Sequence, residues 1–201
     1  MSDFINTTDV LGDDAVCDGM IMKTLSEYAD SHVTTIGDYV FYNCNKLTKL
    51  DLPNAASIGV FAFYGCSAMK TINLPVATLI DNYAFYNGYA LESVNTPLVT
   101  EIGKSAFRYC TKLASIDLPS AILIDSYAFY NCTSLTAIIL RSETTCELTD
   151  TNVFTNTPIA DGTGYIYVPS TLVEIYQNGT NWSLYSSQFR AIEDYPDIIG
   201  G

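Results

Sequence analysis

Four cysteines, Cys44, Cys66, Cys110 and Cys132, share one phase of a twenty-two-residue period. Regularly spaced thiols offer crosslinking, metal binding or nucleophilic catalysis. Stacked one repeat apart, about 4.8 Å, their Cα atoms would fall within disulfide range. In-register side chains point the same way, however, which keeps the sulfurs from disulfide geometry. Zinc is disfavoured as well: no Cys-x-x-Cys pair occurs, and His32 is the single histidine. A Ser/His or Cys/His machine would need that same His32. No nucleophile-elbow or His-Glu-x-x-His motif accompanies it. The thiols therefore read as a buried, reduced ladder of small groups, with Gly88 standing in the same column. His32 reads as an ordinary residue of a terminal cap. Acids are too plentiful, at twenty-two, for any carboxylate pair to be singled out for glycoside hydrolysis. There is no Gly-rich phosphate loop. The expectation is no catalytic residue, no metal and no cofactor. A glycan or peptide hydrolase is the least supported alternative.

Bulk composition narrows the partners. A 201-residue chain that is 48% hydrophobic and 15% charged is not a disordered one. Nine basic residues against twenty-two acidic ones give a net charge of −13, without the basic footprint that nucleic acid requires. Apolar runs reach only a few residues, such as 137–140, so membrane insertion is not expected. Residues 1–30 hold seven acids and only Lys23 as a base, and residues 144–201 hold seven acids and only Arg190. Residues 34–143 are nearly neutral, with eight acids and seven bases. Acidic ends suit segments that face water and discourage end-to-end stacking. The first residues, Met1 to Asn6, lack the basic and apolar regions of a secretory signal.

The elements that would position any site follow from the repeat. Five copies run in phase over residues 34–143. Ile36, Ile58, Ile80, Ile102 and Ile124 form one apolar column, and Phe41, Phe63, Phe85, Phe107 and Phe129 an aromatic one. Leu47, Met69, Leu91, Leu113 and Leu135 form a third, and Leu50, Ile72, Val94, Ile116 and Ile138 a fourth. Leu52, Leu74, Leu118 and Leu140 form a fifth, interrupted by Thr96. A single unit of this length cannot enclose its own apolar face, so the copies must stack. The alternation around Leu50 to Leu52 is a short strand, paired in parallel with its copies and ended by Pro53, Pro75, Pro97 or Pro119. A second extended piece precedes Gly37, Gly59 and Gly103, where Asp81 and Asp125 stand in the other copies. These residues tolerate a left-handed bend. Residues 38–44 read as a short helical turn on the back of each coil.

Five coils make a core of roughly 24 Å, which needs closing at both ends. Residues 1–33 read as an N-terminal cap, 34–143 as the repeats, and 144–201 as a degenerate sixth repeat with a C-terminal cap. In that last segment residues 152–154 and 166–169 resemble a stretched copy. Thr171 and Glu174 have capping-box spacing, so a helix should begin near Leu172 and stop at Asn178 and Gly179. A further helix could open at Asn181 and Trp182. Trp182, Leu184, Tyr185 and Phe189 are expected to pack on the last coil.

The outward strand positions form a small, polar face: Lys49, Thr71, Ser93, Ser115 and Ala137 in one row, Asp51, Asn73, Asn95, Asp117 and Ile139 in the next. Lys49, Asp51, Thr71, Asn73, Ser93, Asn95, Ser115 and Asp117 are the candidate binding residues, since a regular solenoid sheet offers a broad recognition surface. A merely solvated sheet with amide ladders reads the same residues equally well. Two aromatic columns flank the buried phenylalanines: Tyr42, Tyr64, Tyr86, Arg108 and Tyr130, and Tyr39, Phe61, Tyr83, Ser105 and Tyr127. They could stack on sugars, but packing between coils is the favoured reading.

The pattern I-G-x-x-A-F-x-x-C-x-x-L-x-x-I-x-L-P, nearly whole at residues 102–119, resembles the BspA-like leucine-rich repeat family of bacterial surface proteins. Gly88 and Thr96 in the third copy depart from it. The resemblance implies an α/β leucine-rich repeat solenoid, with a parallel sheet of short strands on one face, short helical turns on the other, and terminal caps. It also implies adhesion or recognition of a host or bacterial surface protein or glycan, at the cell surface or outside the cell. Residues 165–195 also look like the tails of prophage-encoded proteins, so a virion- or tail-associated structural protein is the alternative.

Overall fold

The computed structural model describes residues 10–11 and 26–199. The chain winds as stacked coils with parallel strands on two sides, a β-solenoid with few helices. One seven-stranded sheet runs through Val10–Leu11, Thr35–Ile36, Ser57–Ile58, Leu79–Ile80, Glu101–Ile102, Leu123–Ile124 and Glu147–Leu148. Its register places Ile36, Ile58, Ile80, Ile102, Ile124 and Leu148 directly above one another. All six are at most 2% exposed, so burial holds the register: a slip by one residue would turn the row outward.

The other strand side is divided. Glu27–Ala29, Lys49–Asp51, Thr71–Asn73 and Ser93–Asn95 form one parallel sheet. Ser115–Asp117, Ala137–Ile139, Tyr165–Val168 and Phe189–Ala191 form another. The division falls at the third copy, where Thr96 replaces the column leucine. Its hydroxyl is buried with no hydrogen-bond partner.

The third side is built of turns, which corrects the expected helical turn. The amides of Tyr39, Phe41 and Asn43 donate to the carbonyls of Val60, Ala62 and Tyr64 in the next coil, at 3.0, 2.8 and 2.7 Å. Those of Tyr42 and Cys44 fold back on Tyr39 and Phe41. Alternate amides thus point along the stacking axis, as in a strand ladder. A helix would aim them all along its own axis and leave the coils unjoined. The left-handed residue also lies elsewhere than expected. Two columns take that conformation: Tyr39, Phe61, Tyr83, Ser105 or Tyr127, two positions beyond the Gly/Asp column, with φ from 55° to 59°, and Asn43, Gly65, Asn87, Tyr109 or Asn131, six positions beyond it, with φ from 57° to 71°. Gly59 answers a steric demand instead: a Cβ there would lie 2.7 Å from the Gly37 carbonyl carbon of the preceding coil.

Inside, Phe41, Phe63, Phe85, Phe107, Phe129 and Phe154 stack in one unbroken column, with centroids 5.0 to 5.8 Å apart and planes within 8°. Trp182 and Tyr185 cover its end by ring contacts with Phe154. The Trp182 indole N–H donates to the Cys146 carbonyl at 2.7 Å, and the Cys146 amide donates to the Tyr176 hydroxyl at 2.7 Å. Phe189 is buried, whereas Leu184 is 64% exposed, contrary to expectation. A helix does run over Val173–Gln177, preceded by a 3-10 turn, Ser170–Leu172. No side chain caps it, so the Thr171 and Glu174 capping box is not formed. The Ser170 amide donates instead to the Glu193 carboxylate. A 3-10 segment, Trp182–Gln188, follows Asn181. Of the expected N-terminal cap, residues 1–9 and 12–25 lie outside the described residues.

Candidate functional site

The alternation of each strand directs one residue into the core and its neighbours outward. Leu50, Ile72, Val94 and Ile116 point inward and are buried. Lys49, Asp51, Thr71, Asn73, Ser93, Asn95 and Ser115 are exposed, as expected of a face. The Asn95 side-chain amide donates to the Asn73 side-chain oxygen at 2.7 Å, an amide ladder across two coils. Such a ladder fixes both side chains and leaves their other polar groups turned to solvent.

Asp117 stands apart from its row. The Arg141 Nε donates to both of its carboxylate oxygens, at 3.0 and 2.8 Å, and Nη2 to one of them at 2.7 Å. The face also ends earlier than expected. Ile139 is only 6% exposed, packed with Tyr167 and Ile192 from the C-terminal segment. The register adds residues that repeat spacing did not reveal. Glu27 and Ala29 lie beside Lys49 and Asp51, and with Tyr28 they line a shallow depression. Tyr28 donates to Asp30 at 3.4 Å, and burial together with that carboxylate pushes its phenol up to about 12. At the other end Tyr165 continues the row of Ala137, with the Arg190 guanidinium 4.3 Å from its ring centroid. Only the likeness of residues 166–169 to a stretched copy pointed towards it.

On the turn side the flanking rings stack between coils, as the packing reading has it. Tyr39 to Phe61 and Phe61 to Tyr83 are 5.0 and 4.7 Å apart; Tyr42 to Tyr64 and Tyr64 to Tyr86 are 4.9 and 5.0 Å apart. The five described cysteines are buried, reduced thiols. Cys66, Cys110 and Cys132 donate to the Phe41, Phe85 and Phe107 carbonyls of preceding coils at 3.1, 3.3 and 3.1 Å. Burial pushes the Cys110 and Cys132 thiols well up and raises Cys146 to about 12. Those thiols stay protonated at neutral pH, which leaves them without nucleophilic power. His32 is exposed, its Nδ1 3.2 Å from an Asp30 carboxylate oxygen. Among the described residues no three His, Cys, Asp or Glu side chains gather as metal ligands, and no helix is long and apolar enough to cross a membrane.

Six copies of the BspA type leucine rich repeat region match residues 34–161. The chain belongs to this family. The match runs past the five in-phase copies and covers Phe154, the last phenylalanine of the core column. The chain is similar to a leucine rich cell surface protein of Faecalibacterium prausnitzii A2-165, with 29% identity and a TM-score of 0.66 over 79% of this chain and 42% of that one. It also shares its fold with the pneumococcal vaccine antigen PcpA, at 17% identity and a TM-score of 0.54, over 83% of this chain and 40% of that one. A leucine-rich repeat protein of Bacteroides ovatus ATCC 8483 aligns at 21% identity and a TM-score of 0.48, over 84% of this chain and 54% of that one. The chain therefore spans about half or less of the length of each. Among curated proteins none matches it.

Proposed function

We propose that the chain is a non-enzymatic binding module of a bacterial surface protein, recognising a host or bacterial surface protein or glycan through its outward strand face. The observation that carries this reading is the row from Lys49 to Ser115. It is exposed throughout, polar, mostly small, and ordered at Asn73 and Asn95 by the hydrogen bond between their side chains. A fixed polar surface loses little side-chain entropy on binding, which favours recognition over a mobile one. Membership of the repeat family supports the reading, and so does the Faecalibacterium relative, which is described as a cell surface protein. No constellation among the described residues asks for a reaction: the thiols are inert, and the one histidine stands exposed beside Asp30.

The test is adhesion to surfaces coated with mucin glycoprotein or with extracellular matrix proteins. Asp51→Ala, Asn73→Ala and Asn95→Ala are combined in one chain. These side chains point to solvent, so the variant should fold as the parent does. Its binding should fall at least about tenfold, the loss of a central polar cluster. Undiminished binding by the variant, or no adhesion of the parent to any surface, rejects the face.

A further inference from the structure

Over the first three coils the turn side is filled by its own rings: Tyr39, Phe61 and Tyr83, and Tyr42, Tyr64 and Tyr86, stack face to face from coil to coil. In the fourth coil three positions change together. Ser105 and Arg108 stand where the other copies carry rings, and Tyr109 stands where they carry Asn43, Gly65, Asn87 and Asn131. Tyr109 takes the left-handed backbone of that column, with φ of 66°, as the ring residues Tyr39, Phe61, Tyr83 and Tyr127 do four positions earlier in their own coils.

The result is a caged cation. The Arg108 guanidinium carbon lies 4.4 Å from the Tyr130 ring centroid, 5.1 Å from Tyr109, 5.6 Å from Tyr127 and 5.7 Å from Tyr86. Its one side-chain hydrogen bond is a long one, from Nη2 to the Tyr109 hydroxyl at 3.5 Å. Among the described residues no carboxylate comes within 4.0 Å of it, although the chain has twenty-two acids. The Arg108 Nε and the hydroxyl of Ser105, itself only 1% exposed, are both buried with no hydrogen-bond partner. Nε is closed to a ligand, but the Nη1 and Nη2 end of this partly desolvated guanidinium carries one long hydrogen bond and no carboxylate, and its planar fork suits a carboxylate.

We propose that Arg108 with Tyr86, Tyr109, Tyr127 and Tyr130 is a binding site for an acidic sugar, its carboxylate on the guanidinium and its C–H face against the rings. The backbone favours a sugar over an acidic peptide. The Asn87 amide donates to the Arg108 carbonyl, the Arg108 amide to the Ser105 carbonyl, and the Tyr109 amide to the Tyr130 carbonyl. An extended peptide would find these main-chain groups already engaged. The phenol rings and hydroxyls, by contrast, match the alternating C–H and O–H surfaces of a sugar. The net charge of −13 disfavours a polyanion and suits an isolated acid on a largely neutral glycan. The site lies on the turn side, away from the strand face, and does not depend on that face binding anything.

The experiment is calorimetric titration of the full chain with galacturonic acid disaccharide, galactose disaccharide and a blocked Gly-Asp-Gly peptide. Arg108→Tyr is the decisive variant, because it restores the residue that the neighbouring copies carry and should keep the fold. The acidic disaccharide should bind the parent at least tenfold more tightly than the neutral one, and Arg108→Tyr should abolish that preference. The Asp51, Asn73 and Asn95 triple variant should bind it as the parent does. No binding of the acidic disaccharide, equal binding of both sugars, retained preference in Arg108→Tyr, or binding of the peptide alone overturns the proposal.

Discussion

The inner and outer aromatic columns share one period and differ in what they tolerate. The phenylalanine column runs through six coils without exception, whereas the tyrosine columns give way to Ser105 and Arg108 in the fourth. Each inner ring is enclosed on every side at interior packing density, so any change of volume is felt. Each outer ring has solvent along its edge, and a polar replacement there keeps access to water. The interior therefore specifies the stack, and the exterior is where individual coils can acquire chemistry.

Phe107→Ala attacks the inner column and should give the largest effect, a loss of about 3–5 kcal/mol in urea unfolding. Tyr64→Ala attacks the outer column and should lose only about 1 kcal/mol beyond its modest burial term. Similar losses from the two would break the comparison. Alkaline pH probes the thiols beside the inner column. The folded pKa values of Cys110, Cys132 and Cys146 lie above the unfolded ones, so the contribution of these three is complete below about pH 9 and is lost as pH rises. The loss should be about 1.4 kcal/mol per pH unit for each thiol. It should extend to about pH 12 for Cys146. Denaturant midpoints from pH 8 upward should fall, and a flat profile would mean that the thiols are solvated. Thr96→Leu should sharpen the comparison from the strand side. Restoring the column residue and removing a buried unpartnered hydroxyl should raise stability by about 1–2 kcal/mol. A loss instead would show that the coil has closed around the threonine. The smallest effect belongs to Arg141 and Asp117, a partly exposed pair whose double-mutant coupling should be under about 1 kcal/mol.

Strands and columns were legible in the sequence because alternation and an uninterrupted period fix both the direction of a side chain and its neighbour in the next coil. The exposed run from Lys49 to Ser115 follows from the same rule. The turn side was not legible. Whether residues 38–44 form a helix or a turn is decided by carbonyls one coil away, such as that of Ala62 for Phe41, and no local preference encodes them. Gly59 shows the same gap, since its constraint comes from the Gly37 backbone and not from its own torsions. At the C-terminal end the in-register step from Ala137 to Tyr165 spans twenty-eight residues, so Tyr165 escaped the count. Burial of Ile139 and exposure of Leu184 depend on how that segment folds back, which periodicity does not report.

The central claim is that each coil is held by the next through one continuous interior, undisturbed where the exterior changes. Native-state amide hydrogen exchange tests it at Phe41, Phe63, Phe85, Phe107 and Phe129, whose amides bond to the following coil. The account predicts that Phe85 and Phe107, whose amides join the fourth coil to its two neighbours, are protected as strongly as Phe63 and exchange only through global unfolding. Protection at Phe85 and Phe107 an order of magnitude or more below that of Phe63 would contradict it.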